Sequence, residues 1–279
     1  MAETRTTPGL PVALSIGGSD SCGGAGFQAD LKTFTVMDTY GAAVVTAVTA
    51  QNTTGVRASL ILEPDLIVAQ IDAVAGDLQV HATKTGMLGT AANVRAVAKA
   101  IKNNNLFPLV VDPVMATKSG GALIDDDAVA VLAEELLPLA ALVTPNRREA
   151  ARLLGRRDPL DTVKDAIAAA AAICRDFGVP ACIISGFHQP NDEEGDAVDI
   201  YYDGHETHEV VSAWRPTDNT HGAGSVFAAA ITAALAHGQA LDDAVQTAKS
   251  VVSEAIRQAV NLGHGRGPVN VLAYLKVKK

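Results

Sequence analysis

Cysteine is scarce in this chain: its 279 residues include three, Cys22, Cys174 and Cys182. They form no CxxC pair and are too few for a disulfide framework, which excludes a small stapled secreted fold and fits a reducing, cytoplasmic compartment. Positive charge is also in deficit. Lys and Arg number 22 against 31 Asp and Glu, a formal net charge of −9, and the basic residues are dispersed. A nucleic-acid partner therefore has no electrostatic footprint, and any bound phosphate must be held locally. Long apolar runs are missing as well. The opening MAETRTTPGLPVALSIGG carries one arginine and an apolar run too short for a signal peptide, and AIAAAAAIC falls far below the roughly 20 residues of a membrane span, so no membrane partner is expected. The P-loop pattern GxxxxGK[ST] is absent, as is any fixed-period repeat.

What is present is an alternation of short β-rich runs with helix-period segments. VALSIGG, AAVVTAVTA, HATKTGML, PLVVDPVM, AALVTPN and ACIISG read as strands that are apolar on both faces. That pattern predicts an α/β fold with a mostly parallel central sheet and helices on both faces, in which ligands bind beyond the carboxyl ends of the strands. Two runs around Asp203-Gly204 read as a hairpin, giving a small antiparallel edge. No domain boundary is visible. Residues 1–279 are expected to form a single domain, with residues 1–10 flexible.

Glycine-rich and polar segments fall where those strands end. Gly24, Ala25 and Gly26 begin a match to the dinucleotide fingerprint GxGxxG/A, yet the second strand ends in Gln51-Asn52-Thr53 without the ribose-binding acid, and the loop from Gly17 is longer than that turn allows. A glycine loop that merely turns the chain is the stronger alternative. Asn146 and Glu149 sit three apart at a helix start: they either hold a hydrated Mg²⁺ or cap the helix. Asp112 favours a metal, because an acid at the end of an apolar strand is costly without a partner. The stretch TDNTHGAGSVFAAAITAAL, residues 217–235, then supplies an anion site. Gly222 and Gly224 let the N–H groups of Gly222, Ala223, Gly224 and Ser225 converge ahead of a helix expected from about Val226. Metal ligands beside an anion hole imply phosphoryl transfer, where positioning and charge neutralisation carry most of the catalysis.

Weaker candidates remain. His205 and His208 in the hairpin read as surface histidines, Cys22 as a small buried thiol or a substrate contact, and His221 as a backbone or phosphate partner. Phe34 and Met37 read as core.

Seven ordered motifs, SIGGSDSCGGAGFQADLKTF, AVTAQNTTGV, KTGML, VVDPVMATKSG, LVTPNRREA, NTHGAGS and GHGRGPV, run over nearly the whole chain. Together they resemble the hydroxymethylpyrimidine and phosphomethylpyrimidine kinases, the thiamine-pathway branch of the ribokinase-like vitamin kinases; pyridoxal kinases of the same pattern share most of them. The resemblance implies a ribokinase-like fold, a homodimer, ATP as phosphoryl donor and Mg²⁺ as cofactor. It implies that Gln51 binds the pyrimidine edge, where an amide offers both a donor and an acceptor. Gly18 and Asp30 would lie by the hydroxymethyl end, and Met87 and Val114 would pack on the ring. Asp112 and Glu149 would hold the metal, with Asn146, Ser185 and Gly186 on the nucleotide side. Lys118 is either a phosphate contact or a solvated loop lysine.

Two departures from the family pattern stand out. Where the thiamine-pathway kinases usually end the anion motif in cysteine, and most ribokinase-like enzymes in aspartate, this chain has Ser225. A serine hydroxyl is a poor base, and general-base help is typically worth about 10²- to 10⁴-fold. Three accounts stay open: the anion hole and Mg²⁺ suffice, Asp30 or Asp20 acts as base through water, or the chain binds a vitamin better than it turns it over. The second departure is ISGFH in place of Lys-Gly-Gly-His, which removes a positive charge and adds the bulk of Phe187 on the nucleotide side.

Overall fold

The computed structural model describes residues 9–116, 123–188 and 195–277. Lys118 and most of the start expected to be flexible lie outside the described residues. The strands are β1 (Val12–Gly18), β2 (Tyr40–Asn52), β3 (Gly55–Ile61), β4 (Ala82–Thr85), β5 (Leu109–Val111), β6 (Leu142–Val143), β7 (Cys182–His188), β8 (Asp196–Tyr202) and β9 (Thr207–Ala213). They form one nine-stranded sheet in the order β3-β2-β1-β4-β5-β6-β7-β8-β9. The pairs from β2 through β7 are parallel, and those of β8 and β9 are antiparallel. The expected hairpin is in place, with Asp203 N donating to the Glu206 carbonyl across its turn. A second antiparallel edge was not expected: β3 turns back on β2 through Thr53 and Thr54.

Alternation along the parallel strands explains why both sheet faces are covered. On β5, Leu109 and Val111 point to one core while Val110 points to the other; β7 repeats this with Cys182 and Ile184 against Ile183. The helices are α1 (Gly26–Val36), α2 (Pro64–Ala75), α3 (Ala91–Asn103), α4 (Asp126–Val131), α5 (Arg147–Leu153), α6 (Val163–Phe177), α7 (Ala223–Ala236) and α8 (Leu241–Arg257), followed by a last short turn of helix, α9 (Tyr274–Val277). Helices α2, α3 and α6 contribute to the first core, and α1, α7 and α8 to the second. Helix α7 is apolar all round, as a helix buried on every side must be, and its alanines let it lie close on β1, β4 and β5. Phe34 of α1 and Met37 at its C-terminal cap are in this second core as expected.

This packing fixes where the site can be. The carboxyl ends of β1, β4, β5, β6 and β7 open toward one side, and the N-termini of α1, α5 and α7 face the same side. A late segment closes it. Gly265 N donates to Thr53 Oγ1 at 3.1 Å, Gly267 N to Asn219 Oδ1 at 2.8 Å, and His221 exchanges backbone bonds with Gly267 and Val269. Residues 263–268 thus clasp the β2–β3 turn to the loop before α7. No helix among the described residues is long and apolar enough to cross a membrane.

Candidate active site

A cleft with about 1000 Å³ of empty space, counting the part open to solvent, lies beyond those strand ends. It brings together Gly18, Asp30, Gln51, Met87, Asp112, Val114, Asn146, Glu149, Ser185, Gly222, Gly224 and Ser225, which are spread over 208 positions of sequence (225 minus 18 plus 1). Two of the expected residues are not in its wall. Ala223 is the first residue of α7, and its N–H donates to the Thr220 carbonyl at 3.2 Å, so it does not converge with its neighbours. Gly186 instead lines an adjoining depression with Arg147, Arg148, Arg152 and Arg266.

The anion loop owes its shape to Gly222. Its φ of +80° is a left-handed conformation that favours glycine, and a Cβ there would collide with the Gly24 carbonyl oxygen. The helix starts three residues earlier than the sequence pattern suggested, which places Gly224 and Ser225 in the first turn of α7. Their N–H groups have no intrahelical acceptor and carry the positive end of the helix dipole.

The other glycine loop, between β1 and α1, has its N–H groups engaged from within. Asp20 Oδ1 accepts from Cys22 N at 3.0 Å, and Oδ2 accepts from Gly24 N at 3.1 Å and Ala25 N at 2.8 Å. These are the amides a dinucleotide pyrophosphate would require, so the fingerprint match is a structural turn. The His221 ring meets the same Asp20 Oδ2 at 2.7 Å, joining the two glycine loops. Burial raises the Asp20 pKa, but the bonds from His221, Cys22 and Ala25 N–H outweigh it and lower the value to about 2. That leaves Asp20 a weak base.

On the floor of the cleft lies a residue that the sequence pattern did not single out. Lys84, in strand β4, is 1% exposed and reaches both Asp30 carboxylate oxygens at 3.0 Å and Asp112 Oδ2 at 3.5 Å. Burial disfavours its ammonium, yet the charges of Asp30 and Asp112 prevail and hold its pKa above the ordinary lysine value. Ser15 Oγ also donates to Asp30 Oδ2, at 2.6 Å. With both oxygens bonded to Lys84 and one also to Ser15, Asp30 is poorly placed to accept a substrate proton. The reasoning that marked Asp112, a charge within an apolar strand, applies equally to Lys84 in ATKT.

Asn146 and Glu149 satisfy both of their sequence readings in part. They form a capping box on α5: Asn146 Oδ1 accepts from Arg148 N and Glu149 N, and Glu149 Oε2 accepts from Asn146 N at 2.9 Å. Both still line the cleft. Burial, then the nearby Asp112 charge, pushes the Glu149 carboxyl up to about 8. Burial likewise raises Asp112. Beside them the buried Thr144 Oγ1 lacks a hydrogen-bond partner among the described residues. Two crowded buried carboxylates and an orphaned hydroxyl are a donor set that fits a hard divalent cation with its water shell.

On the nucleotide side, Phe187 is buried in the core and does not obstruct the cleft, while the Arg147 guanidinium stacks 5.0 Å over its ring. Arg147 and Arg266 thus return positive charge to the region that lacks the expected lysine. Gly186 N donates to Asp199 Oδ1, and Lys249 Nζ holds the other Asp199 oxygen at 2.8 Å, which anchors the bulge of β7. Cys22 is exposed, contrary to the buried thiol expected. His208 pairs with Asp203 at 3.0 Å on the surface.

Comparison with known proteins agrees with this arrangement. Residues 20–270 match the family model for phosphomethylpyrimidine kinase. The chain is 46% identical over 261 residues to a hydroxymethylpyrimidine/phosphomethylpyrimidine kinase of Rhizobium meliloti, covering 93% of this chain and 96% of that protein. It is 45% identical over 257 residues to a bifunctional thiamine biosynthesis protein of Geobacter sulfurreducens, covering 92% of this chain; it spans about half, 51%, of that protein. The fold superposes on an ADP complex of Bacillus subtilis pyridoxal kinase with a TM-score of 0.87 at 38% identity, covering 95% of this chain and 98% of that one. A mostly parallel sheet with its cleft at the strand ends, an anion loop before α7 and a family match over most of the length lead to one assignment: the chain belongs to the phosphomethylpyrimidine kinase family.

Proposed function

We propose that this chain transfers a phosphoryl group from ATP to the hydroxymethyl oxygen of 4-amino-5-hydroxymethyl-2-methylpyrimidine, and then to the resulting monophosphate, in thiamine synthesis. The observation that carries this reading is the meeting, in one cleft, of Gln51 and Met87 with the first turn of α7 and the Asp112–Glu149 carboxylates. Gln51 is aimed by its surroundings: its backbone N–H binds Ser21 Oγ at 2.8 Å, and its Oε1 lies 3.3 Å from Thr49 Oγ1. Its amide presents a donor and an acceptor to the aminopyrimidine edge. Met87 and Val114 pack on the ring, and Gly18 leaves room beside the hydroxymethyl group.

Asp112 and Glu149 would hold Mg²⁺, which supplies charge neutralisation when bound. Asn146, Ser185 and Gly186 face the nucleotide, with Arg147 and Arg266 nearby. The N–H groups of Gly224 and Ser225 stabilise charge that develops on the transferred group. Since Asp20 and Asp30 are held by other partners, the chemical step relies on this anion hole and the metal, and Ser225 slows it relative to a cysteine or an aspartate. We also read the protein as a cytoplasmic homodimer acting on small molecules alone.

A second reading, pyridoxal phosphorylation, is favoured by the superposition on pyridoxal kinase. Ser225 weighs against it, because a hydroxyl holds an aldehyde less well than a thiolate does. ADP release measured with Mg-ATP and hydroxymethylpyrimidine, its monophosphate or pyridoxal in turn separates the two. Greater turnover on the pyrimidines, lost in Gln51→Ala and raised in Ser225→Cys, is the expected result. Greater turnover on pyridoxal would select the second reading, and tight binding with background ADP release on all three would remove both.

A further inference from the structure

Outside the phosphoryl-transfer machinery, three different metal-binding side chains converge at the rim of the cleft. Asp20 Oδ2 lies 2.7 Å from His221 Nε2 and 3.4 Å from Cys22 Sγ, and the sulfur lies 3.9 Å from the same nitrogen. The three donor atoms belong to residues as far as 201 positions apart, brought together because the two glycine loops abut. Asp112 and Glu149 belong to a separate group, and among the described residues no other set of three or more His, Cys, Asp or Glu donors converges in this way.

Donor chemistry and spacing both identify a ligand class. Zinc bonds of about 2.0 Å to oxygen and nitrogen and 2.3 Å to sulfur, arranged tetrahedrally, separate the donors by about 3.3–3.6 Å. The observed separations bracket that range, so sub-ångström side-chain shifts suffice. The Cys22 N–H bonds the other oxygen, Oδ1, at 3.0 Å, and the N–H groups of Gly24 and Ala25 bond Oδ2 itself, so the carboxylate is held in a fixed orientation, the outer-shell support that metal ligands require. Cys22 is exposed, which provides an entry path. One oxygen, one nitrogen and one sulfur donor leave a fourth position for water. A thiolate among them selects a thiophilic ion and disfavours Mg²⁺.

We propose that Asp20, Cys22 and His221 form a second metal site, for Zn²⁺ or a similar thiophilic divalent cation. Binding forms bonds from the ion to Oδ2, Sγ and Nε2, breaks the His221–Asp20 hydrogen bond as the imidazole switches through solvent to the tautomer protonated on Nδ1, and releases the thiol proton to solvent, with no change of oxidation state. The site stands independently of the kinase reading, since it rests on donor geometry alone.

The test is titration of the full-length protein with Co²⁺, followed in the near ultraviolet for thiolate-to-cobalt charge transfer. One equivalent is expected to produce the band, Zn²⁺ to abolish it, and excess Mg²⁺ to leave it in place. Cys22→Ser, checked for an unchanged melting temperature, should lose the band completely. His221→Gln should weaken it in a protein that retains Cys22, which guards against a fold change in the serine variant. A band of equal strength in Cys22→Ser would come from Cys174 or Cys182 and would overturn the proposal, as would no band in the unmodified protein.

Discussion

The two glycine loops look alike in sequence and differ in what their backbone amides face. Between β1 and α1, the N–H groups of Cys22, Gly24 and Ala25 are bonded to Asp20, a carboxylate supplied by the loop itself. Before α7, Gly222, Gly224 and Ser225 surround no acid of their own and open on the cleft. Glycine content alone therefore does not identify an anion site; what decides is whether a carboxylate of the loop already occupies its amides, as Asp20 does and Asp218 does not. The first loop is a stability element, and the second is held ready for a ligand by its contact with the first through His221.

Exchanging the roles of the two loops gives the largest expected effect. Asp20→Ala leaves three amides and the His221 ring without their acceptor and is expected to cost about 3–5 kcal/mol, read as a lower denaturation midpoint. Gly222→Ala should act on turnover as well as on the fold: its Cβ meets the Gly24 carbonyl oxygen, so the loop must shift, which lowers the melting temperature and misplaces the anion-hole donors, lowering ADP release by about 10²- to 10³-fold. A melting curve taken alongside separates that effect from unfolding. If Asp20→Ala were neutral for stability, or Gly222→Ala neutral for turnover, the contrast between the loops would fail.

Acidity sharpens the same contrast through two carboxylates with opposite signatures. The folded-state pKa of Asp20 is lowered, so its contribution to stability is present above the ordinary aspartate value and is lost as pH falls through about 2. Glu149 has a raised folded-state pKa, so stability falls as pH climbs from the ordinary glutamate value toward about 8. Asp20→Asn should flatten the acid limb of a stability-against-pH curve, and Glu149→Gln the decline between the ordinary glutamate value and about 8. The smallest expected effect is that of Mg²⁺, which should lessen that decline toward about pH 8 in the unmodified protein and leave Glu149→Gln nearly unaffected.

Much of the parallel sheet was legible because strands buried on both faces read as mostly apolar runs, as VALSIGG and PLVVDPVM do apart from Ser15 and Asp112. Strand β3 escaped notice because most of its residues are exposed; it is joined to β2 through backbone bonds and has no buried face to impose a pattern. Asp112, Asn146 and Glu149 could be placed because their motifs follow strand ends, whereas Gly18, Asp30, Gln51, Met87 and Val114 rested on the family resemblance. The Asp20–His221 bond could not, since no local periodicity reports a contact across 201 positions. Lys84 was within reach of the cost-of-charge reasoning that found Asp112, and its partner Asp30 is one helix away on α1.

The clasp made by residues 263–268 has a bearing on how the molecule is made. Synthesis runs from the N-terminus, and a domain generally folds as a unit. The β2–β3 turn next to Gln51 and the loop that carries His221 leave the ribosome well before the glycines that tie them together. All nine strands are therefore made before the clasp, and the cleft acquires its final shape only when residues 263–268 tie two earlier loops together.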